Sequence, residues 1–130
     1  MLQFGFGDGP ANLHLPSNVQ GDAVMYTGTH DNDTTGGWLD AAEGLVARHI
    51  EAFHQGPVDV DTLVRTALST RARMVVIPVQ DVLGLGTEAR MNVPGVGEGN
   101  WTWRMEPDVL TPALSASLRS KVAATGRLPE

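Results

Sequence analysis

The sequence alternates short apolar runs with longer amphipathic stretches, and this order limits the fold more than any other feature does. Residues 23–29 (Ala-Val-Met-Tyr-Thr-Gly-Thr) are a strand candidate, and residues 74–79 are a continuous apolar run of strand length. Between them, residues 39–53 and 60–68 carry apolar side chains at helical spacing. Strands that are joined through helices run parallel, because the chain must cross back before the next strand begins. The sequence therefore predicts an α/β fold with a parallel sheet.

Residues 74–79 are apolar at every position, which is typical of a strand covered on both faces. Pro78 has no N–H group, so strand pairing is expected to end there. A further strand is predicted at residues 2–6, where apolar side chains alternate before a Gly/Pro-rich turn. Three strands cannot close a barrel. We therefore expect residues 1–130 to be part of a larger sheet, with unpaired edges that favour self-association of an isolated chain.

The helix ends carry recognisable signals. Asp59 or Asp61 is suited to cap the second amphipathic helix. A last helix is predicted to begin with Thr111 as its cap and Pro112 in its first position, and to end at Gly126. The first amphipathic helix should stop before Gly56.

Charge and composition narrow the function classes. The net charge is −6, and the nine Lys and Arg residues are scattered, so no basic surface for nucleic acid or anionic membranes is expected. There is no cysteine, which excludes disulfides and thiolate metal sites. No apolar run approaches the roughly 20 residues that span a bilayer, and no signal peptide is evident at the N-terminus. We expect a cytoplasmic protein without cofactor or metal.

The densest polar cluster, residues 29–35, has more than one interpretation. Asp, Asn and Thr before a helix are suited to cap it, so the cluster could be purely structural. Its carboxylates could also bind Ca²⁺, but the ligand spacing of a calcium loop is incomplete. Because catalytic loops follow strands in α/β barrels, an active-site loop is the third possibility.

Two tryptophans, Trp101 and Trp103, are separated by one residue and would point to the same side of an extended chain. They could stack on sugar rings, but large aromatic side chains favour the core interpretation. His14, His49 and His54 are single histidines without ligand partners at useful spacing, and His49 is expected to pack on an apolar helix face.

Several segments together resemble the amylomaltases, glycoside hydrolase family 77. Residues 24–34, with the tract Thr-His-Asp-Asn-Asp-Thr, resemble the family's seventh barrel strand and its exit. Residues 78–86 resemble the eighth strand, and residues 88–95 and 99–104 resemble the loop that leads to the last helix. Residues 2–6 resemble the sixth strand. The matches cover nearly the whole chain in the family's order.

The resemblance implies the C-terminal part of a (β/α)8 TIM barrel, about strands six to eight with their helices, over residues 1–130. It also implies transfer of α-1,4-glucan segments to the 4-hydroxyl of an acceptor glucose or maltooligosaccharide by a retaining double displacement. Starch, glycogen and maltooligosaccharides are the implied α-1,4-glucan partners.

By the same resemblance, Asp31 is the catalytic carboxylate that stabilises the transition state. His30 and Asn92 are the implied substrate-binding residues. The family's nucleophilic Asp and general-acid Glu belong to strands four and five, which no segment of residues 1–130 matches. The isolated chain is therefore expected to be inactive.

Two alternatives stay open at this point. The chain could be a non-catalytic module that binds α-glucan or another partner through Trp101 and Trp103. It could also belong to another enzyme of the α-amylase clan, such as a debranching or branching enzyme, although the tract around Asp31 favours the amylomaltases.

Overall fold

The computed structural model describes residues 1–129. Within them, five α-helices and two short β-strands are joined by loops and three 3-10 turns. In chain order the elements are a 3-10 turn at Leu2–Phe4, a 3-10 turn at Pro16–Asn18, β1 at Val24–Tyr26, α1 at Thr35–Asp40, α2 at Gly44–His54, α3 at Val60–Ser69, β2 at Met74–Val76, α4 at Val79–Val82, a 3-10 turn at Thr87–Ala89, and α5 at Pro112–Ala124. None of these helices combines the length and apolar character needed to cross a membrane.

The two strands pair in parallel, with Val24 opposite Met74 and Tyr26 opposite Val76. Helices α1, α2 and α3 lie between them along the chain, so the predicted α/β arrangement is confirmed. Both strands are shorter than the predicted runs, and β2 ends before Pro78, as the missing N–H requires.

The core lies between one face of this sheet and the helices. Met25 points inward from β1 and is almost fully buried, and Ile50 of α2 and Leu63 of α3 pack into the same cluster. Leu2 and Phe6 complete it from the start of the chain. Burying such side chains removes apolar surface from water, which is the main stabilisation of the fold.

The strand predicted at residues 2–6 is wrong. The segment forms a 3-10 turn, in which the N–H of Gly5 donates to the carbonyl of Leu2 at 2.8 Å. A strand needs a neighbour to satisfy its N–H and C=O groups, and the sheet of the described residues contains only β1 and β2. The turn pairs some of the backbone N–H and C=O groups with one another, and Leu2 and Phe6 stay buried.

The single helix predicted over residues 39–53 is in fact two. Helix α1 ends at Asp40, and Gly44 opens α2 with a φ of +58°, which changes the direction of the chain. Within α2, Ile50 is buried and Val46 packs against the core, whereas Leu45 and Phe53 are exposed. The predicted stop before Gly56 is confirmed, since Gln55 caps α2 in the left-handed conformation.

The capping predictions hold. Asp59 caps α3, and its Oδ1 atom accepts a hydrogen bond from the N–H of Thr62 at 2.8 Å. Thr111 caps α5 through the N–H of Leu114 at 3.1 Å, and Pro112 occupies the first helical position. After α5, the Arg127 guanidinium donates to three carbonyl groups at the end of α3 and before β2, those of Leu68, Thr70 and Ala72.

The expectation that residues 74–79 are covered on both faces is wrong for the described chain. Met74 is 58% exposed, and Val24, Tyr26 and Val76 are also exposed. These four side chains share one face of the sheet because residues at alternate positions of a strand point the same way. The register brings them together as one apolar surface, which we call the bare sheet face.

His54 supplies a pH-dependent element of stability. Its ring lies 5.0 Å from that of Phe53 and 6.3 Å from that of Phe6. Within residues 1–129 its Nε2 atom is buried without a hydrogen-bond partner. This burial lowers the pKa of His54 below its ordinary value of 6.5, because the charged form loses hydration.

We expect His54 to reduce stability as the pH falls. The folded pKa is below the unfolded one, so the stabilisation is complete above about pH 6.5 and is lost as the pH decreases through the folded value. Urea denaturation between pH 7.5 and 5 should show a steeper decline for the wild type than for His54→Phe. Leu13→Ala, at an exposed apolar residue, should keep the wild-type slope. Equal slopes for wild type and His54→Phe would contradict this.

Candidate active site

Two loops meet at the carboxyl end of the parallel strands. Residues 27–34 follow β1, and residues 83–104 follow β2 and the short α4. The N–H of Asn92 donates to the carbonyl of His30 at 3.0 Å, which joins the loops directly. In barrels and open sheets of this class, ligands bind at this end of the strands.

The three residues predicted for the site lie together. The Nδ2 atom of Asn92 donates a hydrogen bond to Oδ1 of Asp31 at 2.6 Å, although the two residues are 61 positions apart. The Nε2 atom of His30 is 3.3 Å from the same carboxylate oxygen. About half of the side-chain surface of both His30 and Asp31 faces solvent. We call these three residues the Asp31 cluster.

Arg90 also supports this cluster, and sequence reasoning missed it. Its Nη2 atom donates to the backbone carbonyl of Asp31 at 2.8 Å, and its Nε atom donates to the carbonyl of Asn92 at 2.9 Å. The planar guanidinium can hold two acceptors in a fixed geometry, so Arg90 fixes the two loops relative to each other. The only sequence signal was its position two residues before Asn92.

The polar tract at residues 29–35 divides into two parts. Thr34 caps α1 by accepting from the N–H of Gly37 at 3.0 Å, and Oδ1 of Asn32 accepts from both the N–H and the hydroxyl of Thr29. The capping interpretation is therefore correct for the second part of the tract. His30 and Asp31 take no part in the cap and face solvent.

A buried carboxylate, Asp81, anchors both ends of the loop that carries the cluster. Asp81 is only 3% exposed. Its Oδ2 atom accepts from the hydroxyl of Thr27 at 2.5 Å and from that of Thr35 at 2.7 Å, and its Oδ1 atom accepts from the N–H of Thr35 at 2.7 Å. Thr27 follows β1 and Thr35 begins α1, so Asp81 fixes where the loop leaves the sheet and where it ends.

Helix α1 packs closely against the backbone near Leu85, and this contact supports the loop of residues 27–34. A Cβ atom on Gly36 would lie 2.7 Å from the carbonyl oxygen of Leu85, so no larger residue fits without a backbone shift. Asp33 also joins this loop to the loop after α4, since its Oδ2 atom accepts a hydrogen bond from the hydroxyl of Thr87 at 2.8 Å.

The two tryptophans are not equivalent. Trp101 is 51% exposed, so the core interpretation is wrong for it. Its φ of +61° also means that the chain is not extended there, and the two rings need not share a side. Trp103 is half-buried beside Leu83 and Leu85. The exposed ring of Trp101 lies with its centroid 5.0 Å from that of His30.

A cavity of about 120 Å³ lies behind the loop, lined by residues that include Gly28, Pro78, Gln80 and Met91. Pockets for drug-sized ligands are roughly 300–1,000 Å³, so a sugar chain has no enclosed pocket here. A ligand of the Asp31 cluster must lie on its open, solvent-facing side.

The chemistry of the cluster is limited. Asp31 supplies a carboxylate, while His30 and Asn92 supply groups that hydrogen-bond hydroxyls. Retaining glycosyl transfer requires two carboxyl groups about 5–5.5 Å apart, one as nucleophile and one as acid/base. In residues 1–129 the neighbouring carboxylates are engaged in structural bonds, Asp33 with Thr87 and Asp81 with two threonines. The cluster alone can bind a polyol and stabilise positive charge.

The fold and the site together define a class of protein. The chain is an α/β unit whose polar loops gather at the carboxyl end of parallel strands, as in α/β barrel enzymes. The model of the 4-α-glucanotransferase family, glycoside hydrolase family 77, matches residues 1–111. The chain therefore belongs to this family.

Individual relatives agree. The 4-α-glucanotransferase of Thermus thermophilus is 45% identical over 98% of this chain and 28% of that protein. The chloroplastic/amyloplastic 4-α-glucanotransferase of Solanum tuberosum is 41% identical over 98% of this chain and 23% of that protein. Among solved structures, an amylomaltase from Streptococcus agalactiae in complex with acarbose superposes with a TM-score of 0.91, at 28% identity, over 99% of this chain and 27% of that one. The chain thus spans about a quarter of the length of these relatives.

We expect Asp81→Ala to destabilise the fold. The substitution leaves two buried hydroxyl groups and one buried N–H group without their acceptor, and each such loss costs roughly 1–3 kcal/mol. The free energy of unfolding from urea titration should fall by about 3 kcal/mol or more. Asp81→Asn keeps one acceptor oxygen and should lose less.

Glu98→Ala is the matched control, because Glu98 is an exposed acid in the following loop. Its effect should stay within about 0.5 kcal/mol, as for most surface substitutions. If Asp81→Ala were as stable as Glu98→Ala, the anchoring role of Asp81 would be disproved.

Proposed function

We propose that residues 1–130 are the C-terminal part of the catalytic (β/α)8 barrel of a 4-α-glucanotransferase, about strands six to eight with their helices. In this proposal β1 and β2 correspond to the seventh and eighth strands, and residues 2–6 occupy the place of the sixth. The main support for this proposal is the hydrogen bond between Asp31 and Asn92. It joins the loops that follow two neighbouring parallel strands in a chain of this family.

The proposed reaction transfers an α-1,4-glucan segment to the 4-hydroxyl of an acceptor glucose or maltooligosaccharide by a retaining double displacement. Asp31 acts as the transition-state stabiliser. As the bond to the leaving sugar breaks, positive charge develops at the anomeric centre, and a fixed carboxylate nearby lowers the energy of that charge. The hydrogen bond from Asn92 holds the carboxylate in place before the substrate arrives.

His30 and Asn92 are the proposed substrate contacts. The half-exposed His30 ring lies beside Asp31 and is positioned to hydrogen-bond hydroxyl groups of the same sugar. The Asn92 amide offers both a donor and an acceptor, which suits sugar hydroxyls. The nucleophile and the acid/base must come from elsewhere in the assembled enzyme, and the reaction itself needs no cofactor.

The two alternative functions, another enzyme of the α-amylase clan and a non-catalytic glucan-binding module, are less well supported than a glucanotransferase. Family membership favours a glucanotransferase over a debranching or branching enzyme. A non-catalytic glucan-binding module is supported by the exposure of Trp101 but not by Trp103, which is half-buried. The cytoplasmic location stays a prediction, since plant relatives are named chloroplastic/amyloplastic.

The catalytic role of Asp31 can be tested in a chimera. Residues 1–130 would replace the matching quarter of the Thermus thermophilus relative, which is 45% identical. We expect the chimera to convert maltotriose into glucose and longer maltodextrins. Asp31→Asn should lower its kcat by about 10³-fold or more without altering its melting temperature, because the loss is confined to the transition state.

Two controls complete the test. Asp40→Asn, at an exposed carboxylate of α1, should retain full turnover. The isolated chain should yield no product after contaminating enzymes are removed. Near wild-type turnover in Asp31→Asn would exclude Asp31 from the mechanism, and steady turnover by the isolated chain would show that a complete catalytic set lies within residues 1–130.

The bare sheet face supports a second proposal, that isolated copies of the chain self-associate. Parallel sheets are normally covered on both faces, and exposed strand edges pair readily with other chains. Light scattering should show dimers or larger species whose mass rises with concentration. Met74→Lys should reduce association, whereas Leu13→Lys, at an exposed apolar residue outside the sheet, should not. A monomer at every concentration would contradict the proposal.

A further inference from the structure

Trp101 has an unusual backbone conformation. Its φ of +61° lies in the left-handed region, which bulky residues rarely occupy because the Cβ atom crowds the backbone. The N–H of Trp101 donates to the carbonyl of Met91 at 2.7 Å, so the surrounding loop imposes this conformation. Strain of this kind persists where the structure over-determines it, and it is concentrated at functional sites.

The loop that holds Trp101 is well bonded. Oδ1 of the neighbouring Asn100 accepts from the N–H of Val93 at 2.8 Å, and its Nδ2 atom donates to the carbonyl of Val96 at 2.8 Å. The loop is therefore closed across its base, next to the Asn92 of the Asp31 cluster. The indole ring is presented on a fixed support.

The indole is also placed where a ligand would lie. Its centroid is 5.0 Å from that of the His30 ring, with 41° between the two planes, and half of its surface is exposed. A large aromatic ring that is held in a strained conformation yet left half in water is not explained by core packing. It extends the Asp31 cluster by an apolar surface on the open, solvent-facing side.

We propose that the exposed face of Trp101 is a stacking surface for a glucose ring of the α-glucan, beside the ring whose hydroxyl groups meet His30 and Asp31. A pyranose ring has an apolar C–H face and a rim of hydroxyls. The indole π-face suits the first, and the His30, Asp31 and Asn92 groups suit the second. This inference rests on the proposed function and adds a sugar contact that the reaction chemistry does not require.

The rival explanation is that Trp101 only packs against protein, either against His30 or against a covering polypeptide. The two explanations differ in a measurable way. A stacking surface must sense the sugar directly, whereas a packing residue need not.

The experiment is an NMR titration of the 130-residue chain with maltotriose, with cellotriose as a control of equal size. We expect the Trp101 indole Nε1–H signal to shift and saturate together with the His30 ring signals, with a Kd in the millimolar range. The Trp38 indole, which packs against the hydrophobic core, should not move. Cellotriose, with its different linkage geometry, should produce smaller shifts.

Trp101→Gly separates binding from stability. Glycine adopts a φ near +61° without strain, so this variant should fold at least as well as the wild type. Its affinity for maltotriose should nevertheless fall about three- to tenfold, the range of an aromatic stacking contact. Trp101→Phe should recover most of the affinity. Val96→Ala, at an exposed apolar residue of the same loop, should bind as the wild type does.

The outcomes separate this inference from the proposed function. If maltotriose moves His30 and Asn92 but not Trp101, or if Trp101→Gly binds normally, the stacking role is overturned and the role of Asp31 is unaffected. No shift at any of these residues also overturns it for this chain. If Trp101 responds as expected but the Asp31→Asn chimera stays fully active, the stacking surface is upheld while the proposed catalytic role fails.

Discussion

The loop that bears the candidate site depends on one buried carboxylate. Asp81 accepts hydrogen bonds from Thr27 at the end of β1 and from Thr35 at the start of α1. Burying a polar side chain is costly unless its oxygens accept hydrogen bonds, so Asp81 and these partners depend on one another. Because the same side chain belongs to α4, it also fixes the distance between the exits of the two strands.

From that anchor the site is built outward in layers. Close packing of Gly36 against Leu85 and the Asp33–Thr87 bond support the loop from below. Arg90 then joins the backbones of Asp31 and Asn92. The outermost groups, those of Asp31, His30 and Asn92 and the Trp101 indole, lie on the solvent-facing side of the site. Rigid support beneath exposed functional groups is what preorganised binding and transition-state stabilisation require.

Sequence reasoning succeeded where the signal was local. The caps at Asp59 and Thr111 follow from side chains that satisfy N–H groups within three residues. It failed at residues 2–6, because alternating apolar side chains specify burial and not a pairing partner. The sequence also predicted α1 and α2 as a single helix, because the helical spacing of apolar residues continues across the break at Gly44. The exposure of Trp101 was missed because residue type alone favours burial.

The sequence by itself determined the α/β class, the caps of α3 and α5, the end of α2 and, through its resemblance to family 77, the identity of Asp31, His30 and Asn92 as site candidates. Only the tertiary structure decided that these residues meet. It brought Asn92 to Asp31 across 61 positions, introduced Arg90 and Asp81 as their supports, and left Trp101 exposed in a left-handed conformation. The physical reason is that the hydrogen bonds between distant loops, and the exposure of the Trp101 ring, depend on how the parallel strands lie side by side. No local pattern of residues encodes that arrangement.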